Sequence, residues 1–476
     1  MLWIILGVRA LVLALFIFNG PFSLGPDEAQ YWTWSQDLSF GYYSKPPGIS
    51  WQIFLTSSLF GNTEWGVRFS ALIMGTLLPI ALYWSALKGG FGKQVAFWSA
   101  LTMALIPIDI IGSILALTDG GMLLFWTLAM GVFLGALSTD KSPSPWALGG
   151  FIALGALFKW PIFILLGVIL FYTFLYQPSW RKDVLKGAAI SLLGLLPSFV
   201  WNMLHGFATF RHVGATLVGG HDDPNASKGN FLDFFGAQGA LFSPLIYIFF
   251  WWAIYRIVKR ERTITPTVYF LFLLSITILA PLFMSLFEKM QGNWGDFIYP
   301  SAILLTVEDL LSRKWKGWLV GSILLSVVLS FGFLSIAGQV PFRKNPFKNT
   351  LGWRNLKGAL ESVDYDPEKQ TLIGETYQMA SLLSFYGPGQ KRGYFVNISG
   401  RRHNQFDYWS PLENDPRKEG IFVASDVALD PLEAKLKSRF SDVEYLGEQP
   451  LWNDDRKAYL FRVKGYTPKV ENVGLF

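Results

Sequence analysis

The chain contains no cysteine, only four histidines, and few charges, 16% Asp, Glu, Lys and Arg, against about 25% in an average soluble domain. The missing thiols exclude disulfides, thiolate catalysis, cysteine-based zinc sites and iron–sulfur clusters. There is no phosphate-binding P-loop, no Gly-x-Ser-x-Gly nucleophile turn, no internal repeat and no low-complexity tract. What is present instead is apolar surface. Of 476 residues, 51% are hydrophobic and 17% aromatic, and the mean hydropathy is +0.34. These values exclude disorder, a coiled coil and a simple soluble enzyme, and indicate a polytopic membrane protein with a soluble part. The net charge of +6 is then expected in cytoplasmic loops, with no call for a nucleic-acid partner.

A spanning helix needs about 20 mainly apolar residues. About eleven stretches qualify, near 2–19, 66–87, 94–114, 119–138, 146–158, 160–177, 186–204, 238–257, 265–287, 296–311 and 317–338. The fifth and sixth are short and meet at Lys159-Trp160-Pro161, as two tilted spans or one broken one. The first shows no small-residue cleavage site after Phe18 and is taken as a span. One set of loops holds Lys88, Lys93, Lys141, Arg181, Lys182, Lys186, Arg256, Lys259, Arg260, Arg262, Arg313, Lys314 and Lys316. The positive-inside rule makes that set cytoplasmic. The other face then carries the long first loop, 20–65, the 205–237 loop, the 288–295 turn and everything after 339.

Residues 1–339 therefore read as a membrane domain and 340–476 as a small α/β domain on the non-cytoplasmic side. In the latter, short β-type runs at Thr371–Ile373, Gly393–Val396, Ile421–Ala424, Val443–Leu446 and Ala458–Val463 flank helical patterns at Gln378–Phe385 and Pro431–Phe440.

The candidate functional residues gather on the outer face. A first loop of some 45 residues is long enough to hold structure of its own, and its Trp and Tyr suit helices lying at the membrane interface. Asp27-Glu28 reads either as a carboxylate held at the membrane surface or as an ordinary helix start behind Pro26. Lys45-Pro46-Pro47 reads either as a rigidly placed cation for a phosphate or as a proline turn with a snorkelling lysine. Asp119 is either an N-cap or an acid facing a cavity, and Asp109 shares that cavity or lies in the headgroups. The 205–237 loop holds His205, Arg211, His212, His221, Asp222, Asp223 and Lys228. The histidine spacing fits no zinc pattern, and Arg211 and Lys228 are either anion contacts or surface charge. Asn293, in the Gln291-Gly292-Asn293-Trp294 turn, lines the site or simply turns the chain. Gly387–Gly393 mimics a dinucleotide fingerprint by spacing but does not open a helix after a strand. Asn225-Ala226-Ser227 and Asn397-Ile398-Ser399 are glycosylation sequons, meaningful only in a eukaryotic secretory setting.

Asp27-Glu28-Ala29-Gln30-Tyr31 followed by Tyr43-Ser44-Lys45-Pro46-Pro47 resembles the first periplasmic loop of bacterial GT-C glycosyltransferases, relatives of lipid A aminoarabinose transferase and protein O-mannosyltransferases. Thr118-Asp119-Gly120, the Asn293-Trp294 turn and Asn404–Trp409 look like further family positions. The resemblance implies a multi-pass enzyme of the bacterial inner membrane with its site on the periplasmic side. Its donor would be a polyprenyl-phosphate sugar and its acceptor a glycolipid of lipopolysaccharide type, or alternatively a protein. Asp27 would be the catalytic carboxylate, with Glu28 and Asp119 as its catalytic partners. Lys45, Tyr43, Arg211 and Asn293 would bind substrate. Where the aminoarabinose transferases place a metal-site Glu before Lys-Pro-Pro, this chain has Ser44, so no cofactor is required, although a divalent metal remains an alternative. The Trp-Trp-Asp signature of oligosaccharyltransferases is absent, because Trp251-Trp252 is followed by Ala253.

The chemistry suits that reading. A phosphate ester anion leaves with the help of cations, and an acceptor hydroxyl needs a carboxylate within hydrogen-bond reach. Inversion at the anomeric carbon is expected. The competing class is a lipid-linked-sugar transporter or flippase. It predicts broken helices paired between repeated halves, and only the 159–161 region reads as broken.

Overall fold

A computed structural model describes residues 1–217, 229–397, 404–425 and 427–468. His221, Asp222, Asp223, Lys228 and the first sequon lie outside the described residues, as does Ser399 of the second.

The described part of the apolar half is built of helices. In chain order it begins with α1 (Leu2–Asn19), α2 (Pro26–Ser35), α3 (Gly48–Phe60), α4 (Glu64–Lys88), α5 (Gly92–Leu105), α6 (Pro107–Gly112), α7 (Thr118–Thr139), α8 (Pro145–Ala156) and α9 (Ile162–Tyr176). The long first loop holds two helices, α2 and α3, as its length implied. Among the described residues six helical segments are long and apolar enough to cross a membrane: α1, α4, α7, Pro178–Leu204, Pro266–Met284 and Lys316–Ile336. A seventh arises if Phe231–Phe242 and Pro244–Val258, bent by 105° at Ser243, count as one span. The other expected spans are shorter helices. α5, α8, α9 and Tyr299–Ser312 run for 14, 12, 15 and 14 residues. Proline explains part of this. Ile106 takes an extended conformation before Pro107, which ends α5 and starts α6.

Buried ions pin the bundle. Arg9 of α1 donates to Asp109 Oδ2 at 2.5 Å, to Ser113 Oγ at 2.7 Å and to the carbonyls of Ala104 and Gly75. Asp109 is therefore committed to holding the α5–α6 break against α1.

The polar C-terminal stretch folds around a five-stranded sheet: β1 (Gln370–Gly374), β2 (Tyr394–Phe395), β3 (Glu419–Ser425), β4 (Phe440–Trp452) and β5 (Arg456–Tyr466), in the order β2-β1-β3-β5-β4. β1 pairs parallel with β2 and β3; β5 is antiparallel to β3 and β4. Each of the five β-type runs seen in the sequence lies in or overlaps one of these strands. Helix Tyr377–Tyr386 packs on the sheet and against α2, Met379, Leu382 and Leu383 meeting Ala29 in a shared apolar core.

Polar contacts fix this layer on the bundle. Arg354 holds the Glu64 carboxylate through Nε at 2.9 Å and Nη2 at 2.5 Å and donates to the carbonyls of Gly20 and Phe22. Tyr386 donates to the same Glu64 at 2.6 Å and accepts from the Leu24 N–H. The segment between α1 and α2 is thereby clamped from above.

Candidate active site

α2 starts where its sequence says. Pro26 occupies the first turn, where its missing N–H costs nothing, and Glu28 reaches back to the Gly25 N–H at 2.9 Å. Glu28 does more than cap. It is 2% exposed, takes a bidentate pair from Arg68 at 2.9 and 2.7 Å, and accepts the Ala116 N–H at 3.0 Å. Both its oxygens are thus saturated by donors from α4 and the approach to α7. Arg68 spends its remaining N–H groups on the carbonyls of Phe22 and Ser23.

Asp27 is left facing the other way. Its side chain is exposed to a half-open cavity of about 1040 Å³. The surrounding protein pushes its carboxyl above the ordinary carboxylate range by desolvation. Lys45 opposes the push, and Glu28 and Asp119 add to it. One side of the cavity is apolar, with Ile110, Ile111, Leu115, Leu329 and Leu334 from the bundle. The other is polar and comes from the outer domain, with Asn349, Glu375, Thr376 and Gln378.

Lys45 lines a second cavity, of about 550 Å³, with Ser44, Lys159, His212 and Asp296 at its polar end and Ile164, Ile276, Ala280 and Met284 along its walls. Gly48 brings the Lys45-Pro46-Pro47 turn there. Its N–H bonds the Leu157 carbonyl at 2.7 Å, and a Cβ at this position would stand 2.6 Å from that oxygen. The turn is thereby seated on the break between α8 and α9, where Lys159 sits.

Asp119 is not an N-cap. It lies in the first turn of α7 behind Leu117, and no side chain caps that helix. Its carboxylate receives Lys159 Nζ at 2.5 Å and Asn293 Nδ2 at 3.3 Å. Asp296, one turn beyond Asn293 and 2% exposed, also faces Asp119 and Lys159, and its Oδ2 has no hydrogen-bond donor. Two carboxylates around one ammonium account for that: neither can donate to the other without a shared proton. Lys159 and Asp296 were not among the residues the sequence singled out. The available signal was an ionisable side chain inside an apolar stretch, beside a Trp-Pro break.

Tyr43 forms the rim. Its N–H donates to Gln405 Oε1 at 2.8 Å, and its ring lies 5.0 Å from His212 and 5.9 Å from Tyr408. The Asn404–Trp409 segment thus folds down on the first loop. Arg211 lies on the exposed side of helix Ala208–Leu217, within electrostatic range of Tyr408, at the edge of the arrangement. His205 stacks on Trp201 at 4.1 Å. Among the described residues no group of three or more His, Asp or Glu is placed to hold a metal ion.

The structure therefore brings Asp27, Lys45 and Asp119 within electrostatic range of one another, with Asn293 bonded to Asp119, sets Glu28 behind them as a clamp, and leaves Tyr43 and Arg211 at the rim. A carboxylate with raised proton affinity within electrostatic range of the Lys45 ammonium is equipped to accept a proton from one group while a cation stabilises an anion on another.

Comparison with known proteins gives this arrangement its setting. The profile of the dolichyl-phosphate-mannose-protein mannosyltransferase family matches residues 44–201. A lipid A galacturonosyltransferase of Rhizobium johnstonii is 28% identical over 312 residues, 64% of this chain, and the chain spans 64% of that relative's length. ArnT from Cupriavidus metallidurans superposes with a TM-score of 0.66 at 17% identity, over 96% of this chain and 97% of that one. Its complex with undecaprenyl phosphate gives 0.63 at 15% identity over the same shares. The chain has the GT-C fold, and the matched family and the Rhizobium relative are glycosyltransferases by name.

Proposed function

We propose that this protein is a glycosyltransferase that moves a sugar from a polyprenyl-phosphate donor onto a lipid A-type glycolipid at the periplasmic face of the inner membrane. The observation that carries the reading is the electrostatic interaction of Lys45, which lines an apolar cavity together with Lys159, with Asp27, which heads an amphipathic one. A polyprenyl chain suits the first, with its phosphate toward the lysines. A lipid with a polar head suits the second, its acyl part against the bundle and its sugars under the outer domain. The name of the Rhizobium relative and the undecaprenyl phosphate bound in the ArnT structure support both halves. The basic loops at the opposite end of the bundle support the periplasmic placement.

The reaction is a single displacement. The acceptor hydroxyl gives its proton to Asp27 as its oxygen bonds the anomeric carbon. The bond from that carbon to the phosphate oxygen breaks, and the polyprenyl phosphate leaves with its electron pair beside Lys45, inverting the configuration. Asp119, held by Asn293, keeps Lys159 in position. Glu28 and Arg68 hold the first turn of α2. No step of this reading uses a metal. A protein acceptor would leave the apolar wall of the larger cavity without a purpose, which favours the lipid.

The test is transfer by the purified protein in lipid, supplied with radiolabelled polyprenyl-phosphate sugars and lipid A. Label reaching lipid A with wild type and not with Asp27→Ala is the expected result. Label that crosses the bilayer with its linkage to polyprenyl phosphate intact overturns the reading in favour of transport.

A further inference from the structure

The end of the bundle away from Asp27, beyond the roughly 27 Å length of α1, carries a separate cavity of about 420 Å³ between helix ends, lined by Trp3, Tyr83, Lys93, Phe97, Trp98 and Lys316 among others. Its charged side chains are two lysines, and no acid lines it. Among the described residues neither Lys93 nor Lys316 makes an ion pair. Glu308 lines the adjoining cavity that Lys93 also touches, and its carboxylate is held by Arg262. Lys316 Nζ lies 5.4 Å from the centre of the Trp98 ring, which directs the ammonium to the cavity. Trp3 packs edge-on against Tyr83 at 5.7 Å while remaining 57% exposed. Helix starts ordinarily carry acids that offset their positive end. Lys93 and Lys316 instead sit in the first turns of α5 and of Lys316–Ile336, neither of which holds an acid, so the backbone adds to the positive field.

Lysines that merely snorkel out of an apolar surface do not need a concave, acid-free, aromatic-walled seat. We propose that this cavity binds the phosphate headgroup of an anionic membrane phospholipid, with Lys93 and Lys316 on the phosphate and Trp3 and Trp98 beside the glycerol and upper acyl chain. The proposal is independent of the transfer reaction, because none of these residues lines either cavity near Asp27.

The experiment is lipid binding to the full-length protein in detergent, read by native mass spectrometry with phosphatidylglycerol and phosphatidylcholine as probes. Wild type is expected to retain phosphatidylglycerol preferentially, and Lys93→Gln/Lys316→Gln to bind it about thirtyfold more weakly. Both lysines are exposed, so the variant folds, and its transfer activity is expected to be unchanged. Three outcomes overturn the proposal. One is unchanged phosphatidylglycerol affinity in the double variant. The second is an equal loss in Lys141→Gln/Lys182→Gln, which would make the effect diffuse surface charge. The third is displacement of phosphatidylglycerol by millimolar inorganic phosphate, which would assign the cavity to the free anion.

Discussion

Lys159 Nζ lies 2.5 Å from Asp119 Oδ1, and the two side chains are 16% and 14% exposed. This pair ties the α8–α9 break to the first turn of α7, and Lys159 lines the cavity that Lys45 also lines. A buried pair is costly to break by halves, because the remaining ion is left uncompensated. Lys159→Met is expected to cost about 3–5 kcal/mol of stability, read as a fall in thermal midpoint. Lys159→Met/Asp119→Leu/Asp296→Leu, which removes both carboxylates that face the ammonium, should recover most of that loss and none of the transfer activity. A triple variant that regains activity would make the cluster purely structural.

Asp27 should act ionised. Burial pushes its carboxyl up, so turnover is expected to rise with pH through a midpoint above the usual carboxylate value of about 3.9 and then level off. The same shift fixes the sign for stability. The folded chain holds this proton more tightly than the unfolded one, so the contribution is present at low pH and lost as pH rises through the folded value. Asp27→Asn has no such loss. It should be at least as stable as wild type at neutral pH while turnover drops about 10²–10⁴-fold. A pH–rate profile and melting curves for both proteins decide it; full turnover in the Asn variant rejects the base role.

Glu28, the next residue, should behave oppositely. Its oxygens take two N–H groups of Arg68 and the backbone N–H groups of Gly25 and Ala116. Glu28→Gln leaves the Arg68 guanidinium buried without a counter-charge and is expected to destabilise by about 3–5 kcal/mol. Activity should fall only as far as α2 is displaced. Comparing the melting points of Glu28→Gln and Asp27→Asn tests the division of labour, and equal shifts of the same sign would refute it.

Much of this was legible in the chain itself. The start of α2 follows from Pro26-Asp27-Glu28, and the five β-type runs lie in or overlap the observed strands, because both are local patterns. The sequence could not say which acid of Asp27-Glu28 faces the cavity. Neighbours on a helix point about 100° apart, and the choice depends on Arg68, 40 residues on. Asn293 and Asp119 are 174 positions apart, and only folding places them in contact. Lys159 read as part of a break because its partner lies on another helix. Of the eleven expected spans, six or seven correspond to helical segments long and apolar enough to cross a membrane among the described residues, while Pro107 and the bend at Ser243 divide the stretches 94–114 and 238–257 that hydropathy joins.

Gly48 gives the sharpest test of how the cation reaches the site. Its N–H contacts the Leu157 carbonyl at 2.7 Å, and an added Cβ would stand 2.6 Å from that same oxygen, a backbone atom that cannot rotate away. Gly121 of α7 abuts the neighbouring residue in the same manner, where a Cβ would meet the Phe158 ring at 2.5 Å. Gly48→Ala must therefore lift the Lys45-Pro46-Pro47 turn off the α8–α9 break. A misplacement of about 1 Å at a reacting group costs on the order of 100-fold in rate. The expected result is a fall in kcat of that order, with overexpression and membrane insertion retained. Gly61→Ala at the end of α3 is the control: it lies at a positive φ of 80° with no backbone atom in the way, so it should strain that turn and spare turnover. Wild-type kcat in Gly48→Ala would show that Lys45 does not owe its position to the contact at Leu157.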